Sequence, residues 1–177
     1  AKGTEQVLRQ IIQEEPTLYD HRLKLARFFD QRHATDQAEA VLRDALKAFP
    51  ENDQAWLALA DFLNMRRGKD AARVALRQAS EQLPYSTKIP FALAALYEAH
   101  KDIAEAKLVY EQLAKDYDKK PAGLDAQVKI AQLAARRSFP DELRFVAGIW
   151  TIAVVIQRRV RRERQIAEHW FVGMIRA

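Results

Sequence analysis

Three equally spaced prolines are the feature that most constrains how this chain folds. They are Pro16, Pro50 and Pro84. An internal period of about 34 residues is typical of stacked helical repeats, in which each unit buries its apolar face against the next. Proline ends a helix because it lacks a backbone N–H and clashes with the preceding turn. The spacing, which we call the repeat period, therefore predicts a helix that ends near each proline.

The sequence around the prolines has the apolar periodicity of two helices per unit. Before the prolines the periodic residues are Val7, Leu8, Ile11 and Ile12; Ala38, Val41, Leu42, Ala45 and Leu46; and Ala72, Ala75, Leu76 and Ala79. After them, beyond a short polar link, they are Leu23, Leu25, Ala26 and Phe29; Trp56, Leu59, Ala60 and Leu63; and Leu93, Ala94 and Tyr97. Each unit is therefore predicted to be two helices and a turn, and the fold class to be all-α.

Residue size follows the same period. Small residues occupy matching positions in the first helix of each unit, and we expect them to let the two helices approach closely; they are Ala26, Ala60 and Ala94. Larger residues are expected to fill the gap to the next unit; they are Phe29, Leu63 and Tyr97. An ordinary helical bundle is the alternative, but a bundle needs no fixed period.

On these residues the sequence resembles the tetratricopeptide repeat family. The family's unit has a large residue, a Leu-small pair and an aromatic residue in its first helix, and small residues before a proline in its second. Residues 53–86 match well, through Trp56, Leu59-Ala60, Leu63, Ala72, Leu76, Ala79 and Pro84. Residues 19–52 match nearly as well, with Arg22 in the place of the large residue, and residues 87–120 have Pro90 there.

The resemblance implies a tetratricopeptide-type helical solenoid of antiparallel helix pairs over residues 1–137. Its predicted parts are a partial repeat at 4–18, repeats at 19–52, 53–86 and 87–120, and a partial repeat at 124–137. In the last part, the segment Ala126–Ala135 resembles a first helix that comes three residues late. Residues 138–177 break the pattern and are predicted to form an atypical C-terminal helical extension.

The resemblance also implies a function. In this family the first helices line a concave groove that receives a peptide or a helix of a partner, which makes the chain a scaffold or adaptor without catalysis. The groove positions we select as partner contacts are Lys24, Arg27, Asp61, Met65 and Lys88. Other groove positions carry small residues, Ala58, Ala92, Ala95 and Ala99. They favour an apolar or helical ligand over a C-terminal carboxylate.

The last quarter of the chain differs in charge. Residues 1–129 hold as many basic as acidic residues, so the net charge of +5 lies in residues 130–177, which contain no lysine. The basic run consists of Arg158, Arg159, Arg161, Arg162 and Arg164. Such a run either binds the phosphate of nucleic acid or anionic lipid headgroups, or forms the solvated end of a helix. Nucleic acid is disfavoured because the run contains no aromatic residue for stacking on bases.

The apolar stretch at residues 145–157 leaves several roles open for the tail. As a helix it would be roughly 20 Å long, short of the ~30 Å hydrocarbon core of a membrane. We expect it to cap the last repeat, to pack on a second copy of the chain as an oligomer contact, or to meet a membrane surface. A tail that is not native coding sequence would also explain the loss of lysine and of the repeat.

The sequence contains no cluster of residues that suggests catalysis, a metal or a cofactor. It has no cysteine, so a thiol nucleophile and a Cys-based zinc site are excluded. The histidines are too far apart to form a metal-ligand pair; they are His21, His33, His100 and His169. The five glycines form no phosphate-binding loop. We expect a protein that is not an enzyme, with residue usage typical of bacteria and a location, cytoplasmic or periplasmic, left open.

Overall fold

The structure, a computed structural model, describes residues 2–138. Eight helices make up most of this part of the chain, and no strand occurs in it. They are α1 (Lys2–Glu14), α2 (Tyr19–Gln31), α3 (Thr35–Ala48), α4 (Asp53–Arg66), α5 (Lys69–Gln82), α6 (Lys88–Ala99), α7 (Ile103–Asp116) and α8 (Pro121–Ser138). The all-α fold class is confirmed. The predicted extension beyond residue 138, including its arginine run, lies outside the described residues.

The chain divides into two compact units, one ending at Asp102 and the other beginning at Ile103. The first unit contains α1 to α6, and the described part of the second contains α7 and α8. In the first unit α2 packs against α3, and α4 against α5. In the second unit α7 packs against α8.

The turns between successive helix pairs repeat with the period of the sequence. At four places, each one repeat period after the last, a backbone N–H donates to the carbonyl oxygen three residues earlier. The accepting residues are Glu15, Phe49, Leu83 and Tyr117. In the first three of these turns a proline comes directly after the acceptor, so the preceding helix cannot continue.

The turns inside the pairs also share one design. Ala34, Gly68 and Asp102 donate their backbone N–H groups to the carbonyl oxygens five residues earlier. Each turn contains one residue in the left-handed backbone region, and in the α4–α5 turn this is Gly68, with φ of 95°. The sequence predicts such a role for Gly68, because glycine enters this region without a steric penalty.

Small residues at matching positions of the repeats are buried. Ala26, Ala60 and Ala94 are all buried in the core, where a small side chain leaves room for a neighbouring helix. Ala38, Ala72 and Ala106, on the second helices, are fully buried. A side chain larger than alanine at these sites would force the helices apart or leave its rotamer minimum.

Arg22 replaces the large apolar residue of the family pattern and makes the same contact as its counterpart. Its Nη1 donates to the carbonyl oxygen of Pro16 at 2.8 Å. Trp56, at the equivalent position of the next repeat, donates from Nε1 to the carbonyl oxygen of Pro50 at 3.0 Å. The Arg22 guanidinium also lies over the Phe49 ring, 5.1 Å from its centroid. Arg22 therefore donates the hydrogen bond that Trp56 donates in the next repeat, and its guanidinium packs on an aromatic ring.

The segment Ala126–Ala135, which resembles a first helix, lies within α8. This helix begins at Pro121, because proline is favoured at the first position of a helix. Gly123 then lies against the backbone of Tyr117, and a Cβ at this position would be only 2.1 Å from the Tyr117 carbonyl oxygen. The start of α8 thus depends on a close backbone contact that no apolar pattern reveals.

Candidate partner-binding cleft

A cleft of about 310 Å³ lies between α2 and α4 in the first unit. Its floor contains three buried side chains, Ala26, Leu42 and Phe62. Its other lining residues are Tyr19, Leu23, Arg27, Asp30, Gln54, Leu57, Ala58, Asp61 and Met65. We call this the α2/α4 cleft.

The repeat period places the walls of the cleft opposite each other. Leu23 on α2 and Leu57 on α4 hold equivalent positions, as do Arg27 and Asp61. Both helices bury a neighbouring stripe in the core, so these residues are left on the adjacent face. At one pair of equivalent positions, the α2 wall therefore carries the cation Arg27 and the α4 wall carries the anion Asp61.

Two polar contacts join α2 to α4 at the ends of the cleft. Asp30 accepts two hydrogen bonds from Arg66, at 2.7 Å from Nε and 3.0 Å from Nη2. This bidentate arrangement is the strongest geometry for an arginine and a carboxylate. At the other end, the hydroxyl of Tyr19 donates to the carbonyl oxygen of Gln54 at 3.2 Å.

The two carboxylates of the cleft lie in opposite electrostatic environments. Hydrogen bonding from Arg66 holds the pKa of Asp30 below its usual value. Burial raises the pKa of Asp61 instead, and no hydrogen bond or ion pair reaches Asp61 from the described residues. Asp61 is therefore a partly desolvated carboxylate without a counter-charge within residues 2–138.

The phenol and the cation on the α2 wall affect each other. Burial raises the pKa of Tyr19, Asp20 raises it further, and the positive charge of Arg27 opposes both effects. Arg27 itself is exposed and makes no hydrogen bond or ion pair with the described residues. The guanidinium is thus free to reach over the cleft.

The structure brings three of the five predicted contact residues together. Arg27, Asp61 and Met65 line the α2/α4 cleft, and Met65 is 69% exposed. Lys24 is exposed on α2 but lies outside the cleft lining. Lys88 also lies outside it, at the start of α6, and its Nζ pairs with Asp53 at 3.3 Å. Lys88 instead borders a hollow of about 540 Å³ formed with residues 48–54.

Sequence reasoning missed the residues that join α2 to α4 at the ends of the cleft. The Asp30–Arg66 pair joins positions 36 residues apart, and Tyr19 lies 35 residues before Gln54. The signal that points to such pairs is an offset close to the repeat period, with complementary side chains at its two ends. Because exposed Arg and Asp residues are common, that offset alone does not distinguish this pair from others in the chain.

Within residues 2–138, no group of three or more His, Asp or Glu side chains is arranged to hold a metal ion. Among α1 to α8, no helix combines the length and the apolar character that crossing a membrane requires.

Comparison with known proteins identifies the fold. A solved structure, that of MamA, superposes on the chain with a TM-score of 0.54, covering 92% of this chain and 91% of that one at 17% identity. Residues 1–62 match the sequence model of the tetratricopeptide repeat family. Residues 1–62 are therefore assigned to the tetratricopeptide repeats. The predicted solenoid class is thereby confirmed, and a fold of this type typically serves protein–protein interaction. A comparison with curated proteins gave no match.

Proposed function

We propose that this protein is a non-enzymatic scaffold or adaptor, and that it binds a peptide or helix of a protein partner in the α2/α4 cleft. The observation that carries the proposal is the cleft itself. It combines an apolar floor with two charged side chains, Arg27 and Asp61, that have no partner within the described residues. Apolar sites with a few well-placed polar groups are typical of binding sites.

Two other charges near these helices are already engaged, which supports this choice of site. Asp30 is paired with Arg66, and Lys88 is paired with Asp53. A partner at either pair would have to replace an existing ion pair and gain little from the exchange. At the cleft, a partner gains new contacts with groups that lack them.

Met65 gives the cleft an adaptable edge. Its side chain is flexible and polarisable, and such residues recur on surfaces that accept different apolar partners. A large exposed apolar side chain beside an apolar floor also gains free energy when a partner covers it. Met65 is 69% exposed, so most of its surface is available to a partner.

The dimensions of the cleft limit the length of the partner segment. The helices α2 and α4 have 13 and 14 residues, so the cleft is no longer than roughly 20 Å. About six residues of extended chain, or about thirteen residues of helix, span that length. The volume of about 310 Å³ accommodates only a few side chains of such a segment.

The test compares peptide binding by a variant whose cleft is filled with binding by a variant that has the same substitution elsewhere. Peptides of twelve residues selected from a random display library against the full chain serve as probes. Ala58→Arg places a long side chain in the cleft, while Ala40→Arg makes the same change on the exposed face of α3. We expect Ala58→Arg to weaken peptide binding at least tenfold and Ala40→Arg to leave it unchanged, with both variants helical by circular dichroism. Equal affinity for the two variants contradicts the proposal.

A second candidate function follows from composition alone. All of the net charge of +5 lies in residues 130–177, and the arginine run there is suited to phosphate groups. The candidate is an accessory at a membrane or nucleic-acid surface through this run, or a self-associating subunit through the predicted C-terminal helix with its apolar stretch at residues 145–157. Light scattering of the full chain and of a chain ending at Arg137 distinguishes these cases from the cleft proposal. Two monomers exclude self-association, and salt-independent binding to anionic vesicles excludes the phosphate role.

A further inference from the structure

We infer that the segment bound in the α2/α4 cleft carries a lysine or arginine that pairs with Asp61, next to a large apolar side chain that covers the floor. This inference rests on the proposed function and specifies the chemistry of the partner. It follows from which charges of the cleft are satisfied and which are not.

The charge balance of the lining selects Asp61. Three charged residues line the cleft, and one of them, Asp30, is neutralised by two hydrogen bonds from Arg66. Asp61 has no such contact within residues 2–138. An ionised carboxylate can accept hydrogen bonds but cannot donate them, so it needs a donor such as an N–H group. The strongest of these hydrogen bonds come from positively charged donors.

The surroundings of Asp61 increase the value of a counter-charge. Leu57, Ala58 and Phe62 lie beside it on α4 and line the same cleft. Asp61 is exposed as a residue, but partial burial of its carboxyl raises the pKa of that group, so part of its hydration is lost before a partner arrives. A cation that pairs with a partly dehydrated carboxylate gains more than one that pairs with a fully solvated group, since less water remains to be displaced.

Arg27 on the opposite wall restricts where the cation can lie. It holds the position equivalent to Asp61 in the preceding repeat. Its positive charge repels a lysine or arginine from the α2 wall and thereby directs it to the α4 wall. Attraction on one side and repulsion on the other give a segment one preferred orientation.

The next repeat lacks this arrangement. The position equivalent to Asp61 on α6 is Ala95, and the position equivalent to Met65 is Ala99. A cationic segment therefore distinguishes the α2/α4 cleft from the neighbouring junction.

The experiment measures the affinity of peptides from the twelve-residue library for variants of the full chain. Asp61→Asn removes the charge and keeps the size, and Asp61→Lys reverses the charge. The matched control is Asp70→Asn, since Asp70 is an exposed carboxylate on α5 whose ion pair with Arg73 lies away from the cleft. We expect the selected peptides to contain a lysine or arginine beside a large apolar residue. Asp61→Asn should weaken binding at least tenfold, Asp61→Lys should abolish it, and Asp70→Asn should change it less than twofold.

A charge swap completes the test. Replacing the peptide's cation by glutamate should abolish binding to the wild type and restore it to Asp61→Lys. The melting temperature of each variant verifies that it is folded, and Asp61→Glu, which keeps the charge, should bind as the wild type within about threefold.

The outcomes separate this inference from the proposed function. Peptides that are displaced by Ala58→Arg but bind Asp61→Asn as tightly as the wild type overturn the inference and leave the cleft as the binding site. Peptides that are indifferent to Ala58→Arg overturn the cleft as the site. A library that yields no binding peptide counts against both.

Discussion

The two junctions between first helices in the first unit have the same design but different surfaces. The backbones of α4 and α6 approach closely, whereas α2 and α4 stay further apart and leave a cleft of about 310 Å³ between them. Side chains at equivalent repeat positions differ in size among the three helices. On α2 they are Lys24, Arg27 and Gln31; on α4 they are Ala58, Asp61 and Met65; and on α6 they are Ala92, Ala95 and Ala99.

From this comparison we expect side-chain size, rather than the repeat, to decide where a cleft opens. The distance between two packed helices depends on the side chains at their contact. The three alanines of α6 are small enough for a close approach to α4, and we expect the longer side chains of α2 to hinder one. The same repeat period thus produces a closed junction in one place and a binding surface in another.

The polar contacts at the two junctions differ in charge as well. At the α2/α4 cleft an ion pair joins Asp30 and Arg66. At the equivalent place between α4 and α6, His100 Nε2 lies 2.9 Å from Asn64 Oδ1. Asn64 follows Asp30, and His100 follows Arg66, by one repeat period. The wider junction has the bidentate ion pair, and the narrower one has a single hydrogen bond.

The largest expected effect is the loss of stability when a leucine on the core face of α4, rather than on its cleft face, is replaced by alanine. Leu59 is 1% exposed in the core, so Leu59→Ala should lower the free energy of unfolding by about 2–5 kcal/mol. Leu57 is half-buried in the cleft wall, and Leu57→Ala should cost only about 1 kcal/mol while weakening peptide binding. Urea denaturation measures the first quantity and peptide titration the second. Similar losses of stability in both variants would mean that Leu57 belongs to the core.

A triple substitution tests the size argument directly. Lys24→Ala, Arg27→Ala and Gln31→Ala together give α2 the small residues of α6, and should let α2 move towards α4 and abolish peptide binding. Stability should change by about 0.5 kcal/mol or less per substitution, because these side chains are exposed. The chain has no cysteine, so spin labels on introduced cysteines report the distance between α2 and α4. An unchanged distance would show that the core, and not the surface residues, holds the helices apart.

The Asp30–Arg66 ion pair and the Asn64–His100 hydrogen bond should differ in how their contributions to stability depend on pH. The pKa of Asp30 is lowered by Arg66, so its contribution to stability is present above about pH 4 and is lost as the pH falls through the lowered value. Asp30→Asn should lower the melting temperature at pH 7 by roughly 1–3 °C and remove this part of the acid dependence. Asn64→Ala should have a smaller effect that does not vary between pH 3 and pH 5. An equal acid dependence in the wild type and in Asp30→Asn would show that Arg66 does not stabilise the folded state through Asp30.

The smallest expected effect has the opposite sign. The pKa of Asp61 is raised by burial, so ionisation costs the folded state more than the unfolded state, and wild-type stability falls as the pH rises from about 4 through the raised value. Asp61→Asn should therefore raise the melting temperature at pH 7 by about 1 °C, and the gain should disappear at low pH. A stabilising substitution that weakens binding is typical of a functional site. A lower melting temperature at pH 7 would show that the charge of Asp61 is favourably held in the free protein.

Periodicity in the sequence predicted the helices better than the site. Proline spacing and the small residues at 26, 60 and 94 predict helix pairs whose turns recur with the repeat period, and the backbone hydrogen bonds at Phe49 and Leu83 follow that spacing. The segment Ala126–Ala135, which resembles a first helix, lies within α8, but this helix begins earlier, at Pro121. The close backbone contact of Gly123 near that start contributes nothing to an apolar pattern.

The candidate site was predicted only in part for a related reason. Family positions indicated Arg27, Asp61 and Met65, and the structure places all three in one cleft. They also indicated Lys88, which pairs with Asp53. Whether an exposed charge is free or paired depends on residues far away in the sequence, and position within a repeat carries no information about that.

The sequence by itself determined the helix pairs, their period and the buried small residues, because helix periodicity, proline and residue size act within one or two turns of chain. Only the tertiary structure decided that α2 and α4 part to form a cleft, that Asp30 is neutralised and that Asp61 is not. Those properties depend on how far apart two helices lie and on which side chains meet across the gap. Such distances arise from the packing of residues in different repeats, where many combinations satisfy the same local pattern.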